Sequence, residues 1–334
     1  MTRIETSLTR VLGIEVPLVQ APIGPCTCPE LAAAVSNAGA LGTLAATWQS
    51  PPDVADLLAR TRALTDRPFA VNLILEWDQH DRLRACLDAG ASIVSFFWGD
   101  PGPYVDAAHG AGALVIHTVG SPEEARRVVD AGVDVVVAQG VEAGGHVWGE
   151  TGTLPLVPAV VDAVLPVPVL AAGGIADGRG LAAAVALGAA GAWIGTRFVA
   201  TEESAAAPTY KQRVVEGPAE DAVLSTAFDG EWPGAKHRVL RNETVERWEE
   251  AGRPEPGSRP GEGDEVARMA EGFSIPRYSA MLPAAGVEGD LDALALYAGQ
   301  STGLVHDVLP AGEVVRRIEE EAATIIAGMH ELLI

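Results

Sequence analysis

The stretch PVLAAGGIADGRGLAAAVALGAAGAWIGTRFVAT, residues 168–201, contains one complete repeat of the chain's pattern. It begins with a short apolar run, turns at Gly173-Gly174, continues through an Ala- and Leu-rich segment and ends in a second apolar run. Continuous apolar runs are typical of strands that are covered on both faces, as in a parallel sheet. The intervening segment is long enough for the helix that a parallel connection needs. The stretch therefore predicts a strand–helix–strand unit.

The same unit recurs from residue 17 to residue 201. Apolar runs alternate with helical patterns, three of which end in Asn/Asp-Ala-Gly, a sequence typical of a helix stop. The runs are 17–23, 40–46, 69–75, 92–99, 113–120, 134–140, 168–175 and 192–201. Eight units in strict alternation predict an α/β fold, the (β/α)8 TIM barrel. A doubly wound open sheet is the alternative.

The regular alternation stops after Thr201. Residues 205–300 are interpreted as an insertion, and within it the Pro- and Gly-rich stretch 252–265 is interpreted as a loop or mobile segment. An amphipathic helix at 312–333 then completes the barrel. We therefore expect a barrel made of residues 1–204 and 301–334, and a small, mostly helical lid or substrate segment made of 205–300. Because the insertion follows the eighth strand, it should lie over the C-terminal mouth, where barrel active sites form.

Composition excludes several classes of partner. The 334 residues include 23 Lys and Arg against 45 Asp and Glu, a net charge of −22 at pH 7, whereas nucleic acids and anionic membranes attract basic surfaces. The polar N-terminus is unlike a signal peptide, and no apolar run reaches the roughly 18 residues of a membrane span. Three cysteines fit a reducing compartment, and no Cys/His spacing indicates a metal site. We expect a cytoplasmic protein that acts on a small molecule; a homodimer stays open.

Glycines at the ends of the seventh and eighth runs indicate an anion site. Gly173-Gly174 and Gly195-Thr196 would let backbone N–H groups approach a ligand closely. A helix that starts near Asp177 would add a partial positive charge. Loops after these two strands often hold a phosphate in such barrels. Two matched strand ends therefore predict phosphate binding, and tight turns chosen for packing are the alternative.

The loop after the sixth run carries the leading candidate for proton transfer, His146, in EAGGHVWGE (142–150). Gly144 and Gly145 would let the loop backbone approach a planar ligand. An ordinary histidine pKa near 6.5 suits proton transfer at neutral pH. Glu142 and Glu150 could orient or tune the imidazole, or could be solvated loop carboxylates.

Polar residues within the apolar runs are the next candidates. A buried amide at Asn72 or Gln139 could pair with a heteroaromatic ring, or satisfy a neighbouring backbone group. His117 could point into the barrel mouth and contact a ligand. The first run ends in Ala21-Pro22-Ile23, which offers small side chains and backbone groups to the edge of a flat ring. The helix or loop surroundings of four other histidines favour no functional role: His80, His109, His237 and His330. His306 follows the segment GQSTG, and the sequence does not place it.

Together these motifs resemble the nitronate monooxygenase family, formerly called 2-nitropropane dioxygenase, whose members are FMN-dependent barrels. The resemblance rests on several ordered motifs at separate strand ends. They are QAPIG (20–24), LAAAVSNAGALG (31–42), VNL (71–73), QGVEAGGHVWG (139–149), AAGGIADGRGLAAAVALGAAGAWIGTRF (171–198) and, more loosely, YAGQSTGL (297–304).

The resemblance implies FMN as the cofactor and His146 as the catalytic base. The flavin would be lined, hydrogen-bonded or closely approached by Ala21, Pro22, Ile23, Asn72, His117, Gln139, Gly144 and Gly145. Its phosphate would be held by Gly173, Gly174, Gly195 and Thr196. Gln300 and Ser301 would also reach the cofactor.

The activity that the resemblance implies is oxidation of alkyl nitronates or nitroalkanes by oxygen to a carbonyl compound and nitrite. His146 would remove the α-proton of a neutral nitroalkane or position the anionic nitronate. One alternative is an FMN-dependent NAD(P)H reductase of enoyl thioesters or quinones, since type II enoyl-acyl-carrier-protein reductases share the barrel and a similar Gly-Gly-His loop. Another is a non-catalytic protein that binds a flavin or a phosphate ligand.

Overall fold

The computed structural model describes residues 3–270 and 272–329, and in that part of the chain eight parallel strands form the barrel. They are β1 (Leu18–Gln20), β2 (Gly42–Ala45), β3 (Phe69–Ile74), β4 (Ile93–Phe97), β5 (Leu114–Val119), β6 (Val135–Gln139), β8 (Val169–Ala172) and β9 (Gly191–Ile194), while the short β7 (Gly145–His146) belongs to another sheet. The strand order is β1-β9-β8-β6-β5-β4-β3-β2, and a parallel bridge between Val19 and Leu41 joins the two ends. The predicted (β/α)8 TIM barrel is confirmed.

The helices follow the strands around the barrel. They are α2 (Pro29–Asn37), α3 (Pro51–Arg62), α4 (His80–Asp88), α5 (Gly102–Gly110), α6 (Pro122–Asp130), α7 (Thr153–Val164), α8 (Gly178–Ala186) and α12 (Ala311–Met329), and α1 (Ser7–Leu12) precedes β1. Helix α6 begins as its sequence predicts, because the Ser121 side chain accepts a hydrogen bond from the backbone N–H of Glu124. The end of the predicted helix 312–333, including His330, lies outside the described residues. Within residues 3–270 and 272–329, no helix is long and apolar enough to cross a membrane.

The eighth apolar run is only partly a strand. The prediction placed 192–201 in one strand, but β9 ends at Ile194 and the short helix α9 (Thr196–Val199) follows. Phe198 and Val199 are buried in this helical turn. Periodicity alone does not separate a short buried helix from a buried strand, because both are apolar throughout.

The core has two layers, which follow from the alternation of side chains along each strand. Ile116, Leu170 and Trp193 pack inside the barrel, where Leu8 and Leu12 of α1 join them. Residues of the opposite parity pack between the strands and the surrounding helices. This division decides which strand residues can reach a ligand at the mouth.

The segment 205–300 differs from the expected mostly helical lid. It contains α10 (Pro208–Glu216) and α11 (Glu243–Glu250) together with strands β10 (Ala222–Ser225), β11 (His237–Leu240), β12 (Glu265–Met269), β13 (Ser274–Pro276) and β14 (Val287–Gly289). The strands form two antiparallel sheets, β10-β11-β7 and β13-β12-β14. Because β7 lies in the loop after β6, the first sheet joins the insertion directly to the segment that carries His146.

Candidate active site

Three segments that are distant in sequence meet at the carboxyl end of the barrel strands. The backbone N–H of Gly299 donates to the Thr196 hydroxyl at 2.9 Å, and the N–H of Gln300 donates to the carbonyl of Glu142 at 3.0 Å. A Cβ added to Gly144 would lie 2.3 Å from the nitrogen of Gly299, so only glycine fits there. The structure therefore brings together Gly144, Thr196 and Gln300, and Ser301 is buried in the same turn as Gln300.

The two glycine turns and the end of β1 lie on the same rim. Gly173 and Gly174 have φ angles of +101° and +74°, a left-handed backbone that favours glycine. A Cβ added to Gly195 would lie 3.6 Å from the Cβ of Ala21, and Pro22 and Ile23 continue from there, partly exposed. Asp177 caps α8 by accepting a hydrogen bond from the N–H of Gly180, as expected for a helix that begins behind the glycines.

Asn72 lies in β3 and faces the barrel interior. Its register partner in β4 is Ser95, whose hydroxyl donates to the Asn72 Oδ1 at 2.8 Å, and both side chains are buried. The amide nitrogen of Asn72 makes no hydrogen bond to the described residues. It is therefore free to donate to a ligand at the mouth.

Gln139, at the end of β6, uses its amide to brace the histidine loop. Its Nε2 donates to the carbonyl of His146 at 3.0 Å, and its Oε1 accepts from the N–H of Trp148 at 2.9 Å. This arrangement matches the alternative in which Gln139 satisfies neighbouring backbone groups. One amide hydrogen remains for a ligand.

His117, which was expected to point into the barrel mouth, lies on the opposite face of its strand, and its contact with a flavin stays a prediction that this placement does not favour. It pairs in register with Phe96 and Val136, which pack against the surrounding helices, as do its neighbours Val115 and Val119. Because side chains alternate along a strand, His117 faces the helices rather than the lumen. Burial lowers its pKa to about 4.

His146 lies in β7 beside Gly145, opposite His237 of β11. Its Nε2 is buried and has no hydrogen-bond partner among the described residues. Burial, with a smaller contribution from the nearby His237, lowers the pKa of His146 to about 3. The imidazole is therefore neutral at pH 7, and one ring nitrogen is left for a bound molecule.

His237 was expected to have no role, yet it lies beside His146, with the ring centroids 5.8 Å apart. Its Nδ1 donates to the carbonyl of Ala235 at 2.9 Å, and its Nε2 accepts from the N–H of Phe228 at 3.2 Å. Burial lowers its pKa to about 4. Since both nitrogens are engaged, His237 supports the site without offering a base.

Neither glutamate of the loop orients His146. The Glu142 carboxylate accepts from the N–H and the hydroxyl of Thr153, at 2.9 and 3.0 Å, and so caps the start of α7. Glu150 is exposed and pairs with Lys236 at 3.0 Å. Glu142 therefore caps helix α7, and Glu150 joins the histidine loop to the insertion through its ion pair with Lys236.

Sequence reasoning missed five of the seven tryptophans, which form one cluster at the mouth. Their rings make a chain of edge contacts with centroid distances of 4.4 to 5.0 Å. We define the tryptophan cluster as Trp48, Trp77, Trp98, Trp148 and Trp232. The ring of Trp232 also lies 4.2 Å from that of His146. The first four residues follow shortly after strands, a position that could have marked them as mouth residues.

One member of the tryptophan cluster has a strained backbone. Trp98 has a φ of +65°, which is rare for a bulky residue and costs on the order of 1–3 kcal/mol. Trp98 directly follows β4, and its backbone conformation turns the indole toward Trp148 and Trp232. The ring centroids lie 4.4 and 4.7 Å from that of Trp98. A strained backbone of this kind persists only where contacts with the surrounding residues hold the side chain in place.

Comparison with known proteins identifies the family. The model of the nitronate monooxygenase family matches residues 5–82 and 74–321 of the chain. The chain belongs to the nitronate monooxygenase family. Members of this family are flavoenzymes, so the chain is a flavin-dependent oxidoreductase.

Individual relatives carry several names. A (3aS,4S,5R,7aS)-5-hydroxy-7a-methyl-1-oxo-octahydro-1H-indene-4-carboxyl-CoA dehydrogenase of Mycobacterium tuberculosis is 34% identical over 96% of this chain and 97% of its own length. A nitronate monooxygenase of Pseudomonas aeruginosa is 36% identical over 94% of this chain and 98% of its own. The structure of FabK from Thermotoga maritima matches with a TM-score of 0.86 and 34% identity, over 99% of this chain and 100% of that one.

Proposed function

We propose that this chain binds FMN at the barrel mouth and oxidises alkyl nitronates and nitroalkanes with oxygen. The barrel of residues 1–204 and 301–334 would hold the cofactor, and residues 205–300 would form the lid or substrate wall. The products would be a carbonyl compound and nitrite. The observation that carries the proposal is the buried, unpartnered Nε2 of a neutral His146 at this mouth.

The residues at the mouth fit a flavin phosphate and ring. Both glycines, Gly173 and Gly174, have left-handed backbones, but only the Cβ position of Gly174 is open, with its nearest atom at 3.8 Å, whereas a Cβ on Gly173 would meet protein atoms at 3.0 Å. The Thr196 hydroxyl accepts from Gly299, so its own hydrogen is left to donate to a phosphate oxygen. The Asn72 amide can donate to a ring acceptor, and Gly144 keeps the histidine loop against the segment 298–299.

The flavin, when bound, would accept electrons from the nitronate and pass them to oxygen. His146 supplies the proton chemistry. With its hydrogen on Nδ1, the neutral ring presents a lone pair on Nε2, which takes the α-proton of a nitroalkane while the C–H electron pair moves to the nitro group. The imidazolium and the nitronate anion then form an ion pair, and their attraction offsets the cost of a buried charge. A preformed nitronate needs no proton removal and would only be positioned.

The test is aerobic nitrite release by the FMN-loaded protein, followed by anaerobic mixing. We expect nitrite from nitroethane nitronate, and loss of the flavin absorbance when the nitronate is added without oxygen. NADH should bleach the flavin slowly or not at all. A protein that binds FMN but yields no nitrite, and that NADH bleaches rapidly, would overturn the proposed oxidation.

A reductase of thioesters or quinones that uses NAD(P)H is the second candidate. The relative from M. tuberculosis favours it, because its name makes it a dehydrogenase of a CoA thioester, and the likeness to FabK fits it as well. Rapid bleaching by NADH, followed by reoxidation on adding crotonyl-CoA or menadione, would support this candidate. The same anaerobic experiment therefore separates the two.

A further inference from the structure

A buried ion pair holds the turn that carries Trp232. Arg259 Nη1 lies 2.7 Å from Asp229 Oδ1, and the two side chains are only 4% and 6% exposed. The other carboxylate oxygen of Asp229 accepts from the N–H of Gly234 at 2.9 Å. Arg259 Nη1 also donates to the carbonyl of Ala227 at 3.1 Å. Asp229 thus links Arg259 to both ends of the turn around Trp232.

The turn leads directly to His146. The N–H of Trp232 donates to the carbonyl of Asp229 at 3.0 Å, and the N–H of Ala235 donates back to Trp232 at 3.2 Å. The next residues enter β11, where His237 pairs in register with His146. A displacement of Asp229 would therefore also move the indole of Trp232, whose ring centroid lies 4.2 Å from that of His146.

We propose that Arg259 is a positioning residue of the active site, which acts through Asp229 to hold Trp232 over His146. The inference rests on the proposed role of His146 as the base. Removing Arg259 would leave the Asp229 carboxylate buried without its cation, and a buried charge that loses its partner moves toward water or forces its surroundings to rearrange. The turn would shift, the indole would leave His146, and water would reach Nε2.

The stretch 252–265, interpreted from the sequence as a loop or mobile segment, has no helix or strand before β12 begins at Glu265, and its loop is folded around Arg259. Glu262 accepts hydrogen bonds from the N–H groups of Gly257 and Arg259, at 2.7 and 3.1 Å, and so folds the stretch around Arg259. The guanidinium lies 5.3 Å from the ring centroid of Tyr278. The Pro- and Gly-rich stretch therefore forms a compact turn, which places the guanidinium of Arg259 against Asp229.

The experiment compares Arg259→Met and Arg259→Lys with Trp232→Phe, which leaves the ion pair intact. The matched control is Arg268→Met, which removes an exposed arginine paired with Glu265 in the same insertion. Two properties are measured on the FMN-loaded protein: kcat with neutral nitroethane against kcat with its nitronate, and the near-ultraviolet circular dichroism of the coupled indoles. A thermal melt establishes that each variant is folded.

We expect Arg259→Met and Trp232→Phe to lower kcat for neutral nitroethane about tenfold or more, and to lower nitronate turnover much less, because only the neutral substrate needs a positioned base. Both variants should lose the same part of the circular dichroism, and Arg259→Lys should restore some of it. A folded Arg259→Met variant with wild-type spectrum and rates would overturn the inference. So would an equal loss on both substrates, which indicates a merely structural role.

The two proposals fail in different ways. If wild-type protein releases no nitrite from either substrate, the proposed oxidation fails, while the circular dichroism still reports whether Arg259 positions Trp232. If Arg259→Met does not fold, Trp232→Phe and Arg259→Lys decide by the same two measurements. An unchanged substrate ratio in both of these variants would overturn the inference.

Discussion

The ring of Trp232 lies 4.2 Å from the ring of His146, with 30° between their planes. The two residues belong to the insertion and to the loop after β6, so neither segment forms this arrangement alone. The indole covers a histidine whose pKa burial has lowered to about 3. The neutral imidazole keeps the lone pair that a proton acceptor needs, but such a low pKa makes it a weak base until a nitronate anion forms beside it and stabilises the imidazolium.

Replacing His146 should separate the chemistry from cofactor binding. We expect His146→Ala to lower kcat/KM for neutral nitroethane by roughly 10²–10⁴-fold, the contribution typical of a general base. Nitronate turnover should fall far less, and the protein should stay yellow. Steady-state nitrite release and the flavin spectrum measure these effects. The matched control is the exposed His80→Ala; wild-type rates in His146→Ala would exclude it as the base.

The buried His117 should make stability depend on pH. Its pKa is about 4 in the folded protein and near 6.5 in an unfolded chain. Below pH 6.5 the unfolded state therefore binds the extra proton, and the contribution of His117 to stability is lost as the pH falls toward 4. Each unit by which the pH falls between 6.5 and 4 should lower the free energy of unfolding by about 1.4 kcal/mol through His117.

The measurement for His117 is the free energy of unfolding in urea at pH 7, 6 and 5, for wild type and His117→Asn. We expect the difference between the two proteins to shift in favour of the variant as the pH falls. The exposed His80→Asn is the matched control and should follow the wild type. A difference that is constant with pH would contradict the burial of a neutral His117.

Gly144 should tolerate no side chain. A Cβ there would meet backbone atoms of residues 298–299, the nearest at 2.3 Å, so the loop must move away from the strand ends. We expect Gly144→Ala to weaken FMN binding at least about tenfold, because the displaced loop would lose about 1.4 kcal/mol or more of its contacts with the cofactor. Fluorescence titration of the apoprotein with FMN measures the affinity. Gly110→Ala, with open space around the added Cβ, should bind FMN like the wild type.

The Thr196 hydroxyl should serve both the protein and the cofactor phosphate. Thr196→Val keeps the shape but removes the acceptor for the N–H of Gly299 and the donor for a phosphate oxygen. A lost hydrogen bond to a charged group costs about 1.5–3 kcal/mol, so FMN affinity should fall roughly 10- to 150-fold. Thr196→Ser should restore most of it. Equal affinity in the Val and Ser variants would exclude a hydroxyl contact.

The barrel could be predicted because each strand and helix carries its own local pattern. Apolar runs separated by helices with clear ends, such as the Ser121 cap, require only short-range information. The insertion was harder to predict. Its strand β11 pairs with β7, far away in sequence, and neither strand has a distinctive pattern by itself. The segment 205–300 was expected to be mostly helical because its strands show no local pattern that would have indicated them.

For the candidate site, residues fixed by strand ends were predicted better than those fixed by packing. Thr196, Gly144 and Gln300 do meet at one place. His117 was placed on the wrong face because a one-residue difference in parity decides between lumen and helices. Trp232 and His237 were missed because their meeting with His146 depends on how the insertion folds back.

The sequence by itself determined the eight β/α units, the glycine turns after β8 and β9, and the position of His146 in a glycine loop at the mouth. These follow from local physics: burial periodicity, helix capping and the backbone freedom of glycine. Only the tertiary structure decided that His117 faces away, that Gln139 braces the loop, and that Trp232 covers His146 on a turn held by Arg259. Those relationships join residues that are far apart in the chain, and their distances and burial arise only when the insertion packs on the barrel.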